Sequence, residues 1–107
     1  MDSVEKVISE IASDTSIMRV RFTGLLDDTA NVLERYGLGA AKAFLLGKQS
    51  HGDLRQQATA LIRILVILEK YADVSRDRKT MRLIIKAISS IQRQGRRQNN
   101  FRKRIQD

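Results

Sequence analysis

Residues 54–72, LRQQATALIRILVILEKYA, constrain the fold more than any other part of this chain. Leu54, Ala58, Leu61, Leu65, Leu68 and Ala72 recur at helical spacing and form one stripe. Ile62, Ile64, Ile67 and Tyr71 carry the apolar surface around most of the helix's middle. A helix with so little polar surface has to be wrapped, by other helices of its own chain or by a second chain. The longest apolar run within it, LIRILVIL, is interrupted by Arg63 and falls far short of the roughly 20 residues that cross a bilayer. A soluble protein is therefore expected.

The rest of the chain supplies helices for that wrapping. It has no proline and only 6 glycines in 107 residues, so helices meet few breakers. Val4, Val7, Ile8 and Ile11 predict an amphipathic helix over residues 2–13, with Ser3 as its N-cap and Asp14, Thr15 or Ser16 at the junction to the next. From Ile17 to Tyr36 the set Met18, Phe22, Leu25, Val32 and Tyr36, widened by Leu26 and Leu33, predicts a second helix. Gly24 falls inside it and Gly37 suits its C-cap. Leu38, Ala41, Phe44 and Leu45 suit a short third helix, followed by the loop GKQSHG. Asp53 and Gln56 have capping-box spacing ahead of the central helix. After DVS, with Asp73 or Ser75 as cap, a last helix is predicted from Arg76 to Gln94, with Met81, Ile84, Ile85, Ile88 and Ile91 facing inward.

Val and Ile recur every three or four residues, not every two, so no strand is expected. The fold class is all-α: a bundle of four or five helices in which 54–72 and 76–94 form a long antiparallel hairpin. Residues 1–95 make the helical domain and 96–107 a basic, flexible C-terminal tail. The apolar face at 61–68 exceeds what one or two covering helices hide, which points to a homodimer.

Charge is distributed unevenly. The net charge is +8, yet residues 1–75 hold 9 basic and 10 acidic side chains, and residues 76–107 hold 11 basic and 2 acidic. A one-sign block adds no stability, because like charges repel; it serves an anionic partner or solubility. On the last helix Arg78, Arg82, Lys86, Ser89 and Arg93 share one face over about 22 Å, at 1.5 Å per residue. No acid lies on that stripe, so the pairs that ordinarily stabilise an exposed helix are forgone. Such a row suits a phosphate backbone, which it neutralises with release of counterions.

The tail carries Arg96, Arg97, Arg102, Lys103 and Arg104, and arginine matches phosphate bidentately. Gln92, Gln94, Gln98, Asn99 and Asn100 intersperse amides able to reach sugar or base edges. Arg55, Thr59, Arg63 and Lys70 share a face of the central helix. They broaden the basic surface, or Arg63 and Lys70 pair with Glu34, Asp27 or Asp28.

Catalysis finds little support. There is no Cys, and the one His, His51, lies in a Gly-flanked loop. Asp27 and Asp28 are adjacent and point about 100° apart on a helix, a poor shared metal site. GLGAAKAFLLGK lacks both the ending of a phosphate loop and the strand before it. No enzyme activity, cofactor or metal is expected. Phe22, Tyr36, Phe44 and Tyr71 sit at apolar helix positions, leaving Phe101 as the one aromatic free to stack, which disfavours single strands.

The expected function is therefore binding of a nucleic acid, RNA before DNA, through the backbone of a duplex and with little sequence preference. In size and helical architecture the chain is similar to some small, dimeric viral suppressors of RNA silencing, a likeness that no shared motif carries. The alternative is a helical protein–protein adaptor whose basic tail serves localisation. A membrane-surface role is weakened by the lack of a Trp or Tyr anchor on the basic face. MDSVEKVISEIASD has no targeting pattern, so a cytoplasmic or nuclear location is expected.

Overall fold

The structure, a computed structural model, describes residues 2–94. Among them every regular element is helical: α1 Ser3–Ser13, α2 Thr15–Met18, α3 Gly24–Tyr36, α4 Leu38–Lys48, α5 Arg55–Glu69, α6 Ala72–Ser75 and α7 Arg78–Lys86. A turn at Ala87 separates α7 from a further helical stretch over 88–94. The expected tail at 96–107 lies outside the described residues.

Caps fix several boundaries. Asp2, rather than Ser3, caps α1 by accepting from the Glu5 amide at 2.9 Å. Asp14 leaves the helical region (φ −91°, ψ 103°), which ends α1, and its carboxylate accepts from the Ser16 and Ile17 amides to start α2. Asp77 does the same for α7, accepting from the amides of Lys79 and Thr80. Gly37 ends α3 and starts α4 at φ +93°, a value that residues with a Cβ rarely adopt. The Asp53–Gln56 box is not used; α5 begins at Arg55 without a side-chain cap.

The helix expected from Ile17 to Tyr36 is two helices. Residues 19–23 leave the helix, held by the Gln57 side chain, which accepts from the Thr23 amide at 2.9 Å. Gly24 is thus the first residue of α3, not an interior one.

Helix α5 is the centre of the molecule. Ala58, Leu61, Ile64, Leu65 and Leu68 are fully buried, each large side chain contributing about 1.5–3 kcal/mol of hydrophobic stabilisation. The cover comes from α1, α2, α3, α4 and α6 of the same chain. Val66 alone of the large apolar side chains at 61–68 stays exposed, at 46 %. The apolar surface of α5 therefore does not call for a second chain.

The expected hairpin is also replaced. The one-turn helix α6 redirects the chain after α5, and α7 packs mainly on α3. The two run antiparallel: Lys86 meets Asp27 near the start of α3, and Arg78 meets Arg35 near its end. Leu26, Ala30 and Leu33 of α3 join Met81, Ile84, Ile85 and Ile88 in one buried cluster with α5.

Candidate nucleic-acid interface

The basic stripe on the last helix lies beside α3, and α3 carries the acids that the stripe lacks. Arg78 donates from Nη1 to the carbonyl of Arg35 at 3.1 Å, a cation placed against the negative end of α3. Arg82 Nε lies 2.8 Å from Glu34 Oε2, although its N–H is not well aimed at the carboxylate. Lys86 Nζ lies 2.7 Å from Asp27 Oδ1. The Arg82 and Lys86 side chains remain 35 % and 40 % exposed. Among the described residues Arg93 reaches only the hydroxyl of Ser90, at 3.2 Å. Three of the four cations of the expected rail thus brace the α3–α7 pair.

The second basic set is engaged as well. Arg63 reaches Asp14 Oδ2 from Nη2 at 2.7 Å and from Nε at 3.1 Å. Lys70 Nζ lies 2.9 Å from Glu10 Oε2. Arg55 donates to the carbonyl of Gln49 at 3.3 Å, and Thr59 accepts from the Gln49 amide at 3.2 Å. These residues turn toward α1, α2 and the loop before α5. Pairing is realised, with Asp14 and Glu10 as partners instead of Glu34, Asp27 or Asp28. The two ion pairs flank a surface groove of about 680 Å³ between α1 and α5, with Ile62 and Val66 on its lining.

These contacts set the local acidities. The Tyr71 hydroxyl, then Lys70, hold Glu10 below the usual carboxylate range, and Glu10 in turn raises Tyr71. Burial by itself would raise Asp14, but Ser16, Arg63 and the Ile17 amide together outweigh it and lower the carboxyl. Backbone donation from Thr80 lowers Asp77.

Two expectations about individual side chains are corrected. Tyr36, placed in the core by its spacing, is 65 % exposed, because α3 ends on it and the chain turns away at Gly37. Phe22 and Tyr71, which lie between helices, and Phe44 on α4 are half-buried, and Lys48 Nζ sits 5.4 Å above the Phe44 ring. Gln92, read as an amide free to meet sugar or bases, is 6 % exposed. Its Nε2 donates to the carbonyl of Val20 at 2.7 Å and that of Ile17 at 3.3 Å. The signal was its spacing, four residues after the inward-facing Ile88.

His51 is exposed in the turn before α5. Among the described residues no group of three His, Cys, Asp or Glu is placed to hold a metal. No described helix is long and apolar enough to cross a membrane. Arg96, Arg97, Arg102, Lys103 and Arg104 lie outside the described residues. No protein-family model matches the chain, and neither a curated relative nor a similar solved structure was found.

Proposed function

We propose that this protein binds the phosphate backbone of a nucleic acid, duplex RNA before DNA, with little sequence preference and without catalysis. The observation that carries the reading is how the basic residues are distributed along the chain. Up to Lys86 the cations of the stripe have partners on α3. Beyond it the sequence places Arg93, Arg96, Arg97, Arg102, Lys103 and Arg104 against Asp107 alone. An excess of positive charge of this size along the sequence suits phosphate, and each phosphate neutralised releases counterions. A duplex is favoured over single strands because Phe22, Phe44 and Tyr71 are partly covered, leaving Tyr36 as the one open ring among the described residues.

The exposed Leu46 and Leu83, at 60 % and 64 %, favour a second reading: a helical adaptor that docks on protein, with the basic tail for localisation. Salt separates the two. Mobility shifts with duplex RNA, duplex DNA and single strands at two salt concentrations test the first reading. Binding of the RNA duplex that weakens steeply with salt supports it; no binding to any of them leaves the adaptor.

A further inference from the structure

We infer that Arg19 and Arg21 form one phosphate-contacting surface with Arg93, assembled by the buried amide of Gln92. This rests on the nucleic-acid reading above and adds to it two residues that lie more than seventy positions away from Arg93 in the chain.

The geometry starts at the end of α2. A helix C-terminus leaves carbonyls without intrahelical donors. Here the Gln92 side chain supplies one, donating to Ile17 at 3.3 Å and to Val20 at 2.7 Å. With Gln92 at 6 % exposure, this is an interior contact that ties the helix over 88–94 to the segment between α2 and α3. Val20 is 3 % exposed, whereas its neighbours Arg19 and Arg21 are both exposed. The pinned valine therefore fixes the backbone from which both arginines leave. Arg93, next to Gln92 in the chain, is exposed as well.

The charge of this corner is not balanced. None of Arg19, Arg21 and Arg93 makes an ion pair among the described residues, unlike Arg63, Lys70, Arg82 and Lys86. The carboxylates nearest to Arg19 and Arg21 in the chain, Asp14 and Asp27, are taken by Arg63 and Lys86. All three cations are arginines, whose planar fork suits phosphate oxygens. Charge complementarity thus points to an extended run of phosphates.

The test uses the full chain and a fluorescent RNA duplex, with affinity read by anisotropy across a salt series. Arg19→Gln with Arg21→Gln is expected to lower the slope of log K against log salt by about 2, at about 0.9 per lost phosphate contact, and to weaken binding about tenfold or more near 0.2 M salt. Gln92→Met removes the amide while keeping side-chain volume. In that background the same two substitutions are expected to cost clearly less, since the arginines are no longer held in place. If wild type binds and the arginine pair changes neither affinity nor slope, this inference fails while the proposed function stands. If wild type shows no salt-dependent binding to the duplex, both fall.

Discussion

The guanidinium of Arg78 lies over Gly37: its Nη2 is 3.1 Å from where a Cβ on that glycine would sit, and its Nη1 donates to the Arg35 carbonyl at 3.1 Å. Arg78 therefore closes the elbow at which α3 passes into α4. The elbow depends on a backbone conformation at φ +93°, the only positive φ among the described residues. A residue that reads in sequence as the first rung of a phosphate rail is, in the fold, the clasp of a helix junction.

Gly37→Ala should therefore destabilise the protein by about 1–3 kcal/mol, because alanine is strained at that φ and its methyl crowds Arg78. Gly39→Ala is the control. A Cβ there meets nothing within 4 Å, so stability should hold or rise by up to about 1 kcal/mol. Urea unfolding of both variants checks the contrast, and equal midpoints would remove the special role of Gly37.

Arg82→Gln with Lys86→Gln should change the salt slope of duplex binding by well under the roughly 0.9 per residue of a lost phosphate contact, since Glu34 and Asp27 already neutralise these cations. In stability, a double-mutant cycle for either pair should give a coupling of about 0.2–1 kcal/mol, as for other exposed pairs. A slope reduced by about 2 would instead restore the helix face as a backbone rail.

Leu65→Ala should cost about 2–5 kcal/mol, because the side chain is fully buried among the helices around α5. Val66→Ala, one residue on and 46 % exposed, should cost clearly less. Thermal melts of the two variants test whether the chain's own helices cover α5. A comparable loss for Val66→Ala that depends on protein concentration would mean that a second chain does so.

Stability should fall in acid partly through Asp14. Its carboxyl is lowered in the folded state, so its contribution is complete above the unfolded value near 3.9 and is lost as pH falls through the lower folded one. Asn at this position keeps an acceptor for the Ser16 and Ile17 amides but removes the charge that holds Arg63. Asp14→Asn should thus be less stable at neutral pH and lose less between pH of about 5 and 2. Parallel curves for both proteins over that range would show that the charge contributes nothing.

A chain cut after Gly95 keeps every buried residue described above and loses Arg96, Arg97, Arg102, Lys103 and Arg104. It should unfold cooperatively and bind an RNA duplex at least tenfold more weakly at moderate salt, with a flatter salt slope. Unchanged affinity would confine the contact to the helical part; loss of folding would mean that the tail packs on the core.

Which side of each helix faces inward was legible in the sequence. Leu61, Leu65 and Leu68, and Met81, Ile84, Ile85 and Ile88, lie in the core as their three-and-four spacing requires, because burial repeats with the helical turn. Gly37 was legible as a helix end for the same local reason: the backbone there must leave the helical region. What those faces meet was decided only in three dimensions. Periodicity carried across residues 19–23 hides the break before α3, and it says nothing of α3 being the partner of α7. Charge along one helix likewise cannot reveal acids on another. Arg78, Arg82 and Lys86 look unopposed until α3 brings Arg35, Glu34 and Asp27 beside them, and Gln92 looks free until Val20 lies 2.7 Å away. Helical spacing is set by bonds a few residues apart, whereas counterions and buried amides are matched across the whole chain, so the surface left for a partner emerges only after packing has taken its share.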